Sequence, residues 1–174
     1  MIYEDLKHLM IADFSSIINN YYITFGSIKL LNDPDSPNKL TGQSYLNIDL
    51  SPLAFNLKDK TGLEILSECF LKSGFRTAIR ESFEVIFEYC KKTNQLEILK
   101  KCEWFHFLRL IRNGTAHNFN FKFVKSDYKL LPITWKNKII SKNMDETAIT
   151  LYFFNYKDCW DLLKELEVFI ERLK

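Results

Sequence analysis

The stretch Trp104-Phe-His-Phe-Leu-Arg-Leu-Ile111, followed at once by Arg112-Asn-Gly-Thr-Ala-His117, decides how this chain folds and where its chemistry lies. Apolar residues at 104, 107, 108 and 111 recur with the spacing of a helix, not with the alternation of a strand. Turning about 100° per residue places Phe107, Leu108, Ile111 and Thr115 on the face of Trp104, and His106, Arg109, Asn113 and His117 roughly opposite. The polar residues therefore avoid the expected core. Arg112 falls at the boundary, where its stem can lie on apolar neighbours while the guanidinium reaches the polar side.

An arginine followed by a polar residue and then, five positions after the arginine, by a histidine resembles the motif of the HEPN superfamily of small α-helical domains. Arg112, Asn113 and His117 carry that resemblance. It implies a HEPN-like helical bundle and a metal-independent endoribonuclease of the kind found in toxin–antitoxin and defence systems. It also implies a homodimer with the motif at its interface, an RNA substrate and an antitoxin protein as a further partner.

The composition agrees with a folded domain. In 174 residues, 47% hydrophobic with 15 Phe and 8 Tyr, there is enough apolar material for one core without disulfides or metal. A single domain spanning 1–174 is the expectation. The formal charge of +2 is too small to mark a nucleic-acid binder, but its distribution is uneven. Between Gln95 and Lys129 seven Lys or Arg stand against Glu97, Glu103 and Asp127, a local excess of four positive charges. Arg109, Lys122 and Lys125 are the candidate RNA-binding cations beside the motif. The opposing reading is a solvated basic face.

Cys69, Cys90, Cys102 and Cys159 are scattered without a C-x-x-C pair. No apolar run approaches the roughly 20 residues of a spanning helix, and no secretory start is visible. A soluble, reducing, cytoplasmic setting is expected, with no membrane partner. The Asn113-Gly-Thr115 glycosylation pattern is then irrelevant.

Periodicity organises the remainder. Residues 3–31 read as a long helix with Leu6, Leu9, Met10, Ile17, Tyr21, Ile28 and Leu31 inward, bent at Gly26. Asn32-Asp-Pro-Asp-Ser-Pro-Asn38 and Pro52 make about 32–60 a long loop with one short element at most. Thr61 and Glu64 form a capping-box pattern that starts a helix to about Lys72. After Ser73-Gly74 a second helix spans 75–92, with Ile79, Phe83, Ile86, Phe87 and Cys90 inward, and the motif helix spans 96–118. Alternation at Ile133, Trp135 and Ile139, and again at Ile149, Leu151 and Phe153, predicts a β-hairpin over 133–154 that turns at Ser141–Glu146. A closing helix covers 156–173, burying Trp160, Leu163, Leu166, Phe169, Ile170 and Leu173. The fold class is thus all-α, a bundle with a small appended ribbon.

RNA cleaves when a base removes the 2′-hydroxyl proton, an acid protonates the leaving 5′-oxygen and a cation stabilises the charge at phosphorus. Histidine can occupy both protonation states near neutral pH. Arginine presents a permanently charged planar fork to phosphate oxygens. Asn113 could orient either group, so Arg112, Asn113 and His117 are the candidate catalytic residues. Arg112 and His117 stand about 7.5 Å apart along a helix axis, whereas His106 is roughly 16 Å from His117 and His8 is unplaced. A second histidine at the same phosphate is most simply His117 of another protomer, which gives the dimer a chemical motive. With three histidines, no H-x-x-x-H spacing and no Cys/His cluster, neither a zinc site nor any other cofactor is expected. Asp145-Glu146 reads as a solvated turn.

Structural readings compete at each position. His117 can cap its helix through the negative end of the dipole, and Arg112 can pair with a structural carboxylate. Gly114, costly in a helix by about 1 kcal/mol, calls for compensation such as close approach of another backbone, which a helix–helix dimer contact would supply. Three functions stay open: a metal-independent endoribonuclease, a catalytically inactive HEPN-like module binding RNA, nucleotide or a protein partner, and a helical interaction domain with a fortuitous motif.

Overall fold

Helix formation dominates the chain, as the apolar periodicity requires. The computed structural model describes residues 2–45 and 47–174. Among them the elements run α1 (Ile2–Leu31), α2 (Ser36–Leu40), β1 (Ser44–Tyr45), β2 (Ile48–Asp49), α3 (Ser51–Lys58), α4 (Lys60–Lys92), α5 (Leu96–Lys100), α6 (Phe105–Ala116), β3 (Ile133–Trp135), β4 (Lys138–Ile140) and α7 (Tyr156–Arg172). The fold is mainly helical with a small appended hairpin. The chain divides into two compact units, one made of the residues up to 18 and of 76–174, the other of 19–75.

The first unit holds the motif. Its centre is α7, whose buried stripe comprises Cys159, Leu162, Leu163, Leu166, Phe169 and Ile170, with Leu173 just beyond the helix. Trp160, expected in the stripe, is only half-buried, and Lys164 Nζ lies over its ring at 4.9 Å from the centroid. Asn155 caps the helix and exchanges bonds with Asp158 in a capping box. Phe107, Leu108, Leu110 and Ile111 of α6 are fully buried, and Phe107 lies against Trp135 of β3 at 5.0 Å. A Phe107→Ala cavity there would cost about 3–5 kcal/mol.

The expected single motif helix over 96–118 is two. Between α5 and α6, bonds of the i→i−3 type at Lys101, Cys102 and Phe105 turn the chain while Leu99, Trp104 and Phe105 all stay buried. Trp104 then meets Phe169 edge-on at 5.4 Å.

The hairpin is shorter than the expected 133–154. Ile133 pairs with Ile140 and Trp135 with Lys138, around a turn at Lys136, whose φ is +50°. That turn has no glycine to announce it. Residues 151–153 form a turn, and residues 146–149 pair with the segment after the motif: Phe121 N–H donates to Thr147 O at 2.8 Å, Glu146 N–H to Phe121 O at 2.9 Å and Ile149 N–H to Phe119 O at 2.6 Å. Asp145 is no merely solvated carboxylate. It accepts from Phe123 N–H at 2.8 Å and from the Tyr128 hydroxyl.

In the second unit the expected loop at 32–60 is largely ordered structure: α2, the β1–β2 pairing Ser44↔Asp49 and Tyr45↔Ile48, and α3. The sequence misleads because Pro37 and Pro52 stand in the first turns of α2 and α3, where a missing N–H costs nothing. α4 starts at Lys60, and Asp59, not Thr61, caps it by accepting from Gly62 N–H at 3.0 Å. It does not break at Ser73-Gly74. A Cβ on Gly74 would lie 2.6 Å from Thr24 Cγ2, so this glycine admits a neighbouring side chain and leaves the helix intact. α1 likewise passes through Gly26. Among its described side chains the buried ones are Met10, Phe14, Ile17, Tyr21 and Thr24, and Leu9 is exposed.

Candidate functional site

α6 presents the motif because its opposite face is buried: Ile111, Gly114 and Thr115 are sealed, Arg112 and Asn113 are half-buried, and His117 is exposed. The helix ends at His117, the C-cap, whose N–H donates to Asn113 O and Gly114 O. Asn118 follows at φ +55°, a usual left-handed terminus for an asparagine, but Phe119 at φ +59° is a second such residue and a bulky one. This conformation costs on the order of 1 kcal/mol. It is offset by the pairing of 119–121 with 146–149, and by Asn120, whose N–H donates to His117 O at 3.1 Å. Arg76 of α4 covers the Phe119 ring at 5.3 Å. The local sequence thus stops the helix at the histidine and staples down the chain that follows it.

Gly114 has an intrachain explanation. A Cβ there would lie 2.3 Å from Ile149 Cδ1 and 3.2 Å from Asn120 O. The close approach expected of a dimer partner is made instead by the 146–149 segment of the same chain, so this glycine no longer argues for an interface.

Side chains of α4 and α6 meet at the site: Phe83 stacks on Phe105 at 6.0 Å, while Arg112 lies over Phe83 at 5.6 Å. The Arg112 guanidinium donates from Nη1 to Asn113 Oδ1 at 3.1 Å and from Nη2 to Glu84 Oε1 at 2.9 Å. Its Nε is buried and, among the described residues, unpartnered. Arg80 donates from Nε to the same Glu84 oxygen at 3.1 Å. The Arg112 bond, with Arg80 assisting, holds the Glu84 carboxyl below its ordinary range against the opposing effect of partial burial. Glu84 is therefore ionised at neutral pH. The structural carboxylate that could pair with Arg112 exists, and it leaves the side chain about one-third exposed.

Asn113 joins the motif. Its amide oxygen fixes Arg112, and it precedes His117 by four residues, a spacing that puts both on one helix face. Among the described residues no side chain bonds the His117 ring. No direct Arg112–His117 bond forms either; the two stand about 7.5 Å apart along the axis by helix rise.

The candidate RNA-binding cations divide. Lys122 and Lys125 are exposed on the chain after the motif. Arg109 is committed inward: Nη2 meets Asp127 Oδ1 at 2.5 Å, and Asp127 is fully buried, with its other oxygen accepting from Val124 N–H at 2.9 Å. That pair ties α6 to the Asp127–Lys129 turn. His106 is half-buried, and its Nδ1 has no partner among the described residues. Burial first, then Arg109, pushes its pKa down, with Asp127 opposing.

Arg76, Arg80 and Glu84 are the residues that reading the sequence missed. They recur every four positions on α4 and so share a face, but nothing local says that this face meets the motif. Among the described residues no three His, Cys, Asp or Glu side chains group as a metal site, and no helix is long and apolar enough to cross a membrane. No protein-family model, no curated protein and no solved structure matches the chain.

Proposed function

We propose that this chain is a HEPN-like, metal-independent endoribonuclease in which Arg112 binds and neutralises the scissile phosphate, Asn113 orients Arg112, and His117 transfers protons. The observation that carries the reading is the orientation of Arg112. Phe83 beneath it, Asn113 beside it and Glu84 at its tip hold the guanidinium in a defined pose, five residues before an exposed histidine at the end of the same helix. Pre-orientation lowers the entropic cost of engaging a phosphate and favours the transition state, where its charge is greatest.

His117 accepts the 2′-hydroxyl proton as a neutral imidazole, or donates to the 5′-oxygen as an imidazolium. With a single histidine at each motif, one of these two roles falls to a second group, which His117 of another protomer would fill in a symmetric dimer. Lys122 and Lys125 extend the positive surface for the flanking strand. In the cell a toxin or antiviral effector held by an antitoxin protein, acting in the cytoplasm, is the role this chemistry suits.

The test is cleavage of single-stranded RNA by purified protein in EDTA. His117→Ala should lose at least ~10²-fold in rate with RNA affinity little changed, and Arg112→Ala should lose both. Sedimentation of the active species should give a dimer. A second reading, an RNA-binding module without cleavage, is favoured by the Glu84 ion pair, which occupies part of the Arg112 fork. Binding without cleavage by the wild-type chain would select it.

A further inference from the structure

Two guanidiniums converging on one oxygen is the arrangement that proteins use for phosphate, and here the oxygen belongs to the chain itself. Arg80 Nε and Arg112 Nη2 both donate to Glu84 Oε1, at 3.1 and 2.9 Å. Without an anion between them, two cations so placed repel each other. The partners differ in freedom. Arg112 is held by Phe83 and Asn113, whereas the Arg80 side chain is 61% and the Glu84 side chain 40% exposed, so both of these can swing into solvent. Among the described residues Arg112 also keeps a buried Nε donor without a partner. The cluster has one fixed arginine, one mobile arginine and a movable carboxylate in the anion position.

We propose that Glu84 is an internal competitor for the phosphate of RNA, and that Arg80 and Arg112 form a two-arginine clamp that a phosphodiester enters by displacing the Glu84 carboxylate. The exchange conserves charge, one monoanion for another. A phosphodiester offers two non-bridging oxygens where Glu84 uses one, so both guanidiniums and the idle Arg112 donors find acceptors. Until RNA arrives, Glu84 keeps the arginines paired and excludes weaker anions. This inference takes its ligand from the ribonuclease reading but does not require cleavage.

The experiment measures binding of a fluorescein-labelled single-stranded RNA fully 2′-O-methylated, which attack by the 2′-oxygen cannot cleave, by anisotropy at one fixed salt concentration. Circular dichroism confirms equal folding of the variants. Glu84→Gln keeps the shape and removes the competing charge, and should bind about three- to tenfold more tightly than wild type. Glu84→Asp, which retains the charge, should not reproduce that gain. Arg80→Gln should bind several-fold more weakly, and in an Arg112→Gln background the effect of Glu84→Gln should shrink below about twofold.

Glu84→Gln binding no tighter than wild type, or Arg80→Gln binding equally well, overturns the proposal. Cleavage of unmodified RNA, measured in parallel, separates it from the reading it rests on. Tightening by Glu84→Gln with no cleavage by wild type supports the clamp and removes the catalytic role. Cleavage by wild type without tightening removes the clamp alone.

Discussion

Gly114→Ala tests whether the motif helix is fixed by its own chain. In a helix interior the added methyl should stabilise by about 1 kcal/mol through propensity alone. Here the new Cβ would stand 2.3 Å from Ile149 Cδ1, some 1.5 Å inside a normal carbon–carbon contact near ~3.8 Å. It would also lie 3.2 Å from the Asn120 carbonyl oxygen, which is backbone and held by the turn after His117. Ile149 is buried and its backbone is bonded to Phe119, so its side chain has little room to retreat. Overpacking of this kind costs about 1–3 kcal/mol. Set against the propensity gain, the net loss should be about 1 kcal/mol, read by equilibrium urea denaturation followed by circular dichroism. Ile149→Val removes the clashing Cδ1 and alone should cost about 0.5–1.5 kcal/mol. The double variant should therefore be more stable than the sum of the singles by roughly 1 kcal/mol. Stabilisation by Gly114→Ala in the wild-type background, or strict additivity in the double variant, would refute the packing argument and reopen an intermolecular role for the glycine.

Two further substitutions probe the buried charges behind the motif. Asp127→Ala strands Arg109 and leaves Val124 N–H unpaired; because Arg109 is partly exposed, the loss of stability should lie toward the lower end of the ~3–5 kcal/mol typical of a broken buried pair, and a change below about 1 kcal/mol in a thermal melt would contradict it. His106 is a base whose folded pKa lies below its unfolded value, so the unfolded chain binds the proton first and stability must fall as pH drops from 7 into the acid range. His106→Gln should flatten that segment of the stability–pH profile, and an unchanged slope would show that the acid sensitivity has another source.

The sequence revealed most where periodicity was long and one-sided. The α7 stripe, the inward face of α6 and the exposed His117 all follow from apolar spacing, because burial of one helix face leaves the other in solvent. It misled where the deciding partner is distant. Thr24 explains Gly74, and Ile149 explains Gly114, across gaps that no local pattern spans. Pro37 and Pro52 signal an interruption equally well at a loop or at a helix start. The candidate site shows the same division: Arg112, Asn113 and His117 are a local motif, but Glu84 and Arg80 reach it only through the packing of α4 on α6. Arg109 looked available because its buried partner, Asp127, lies 18 residues away in the chain.

In the proposed reaction Arg112, Asn113 and His117 cleave RNA through its own 2′-hydroxyl. The most direct measurement maps a cleaved position in an RNA oligonucleotide in EDTA, then replaces that one nucleotide by its 2′-deoxy form. The unmodified strand should yield a 2′,3′-cyclic phosphate or its 3′-phosphate product, with no cut at the substituted position. Continued cutting at the 2′-deoxy position, or failure of the wild-type protein to cut RNA at all, would contradict it.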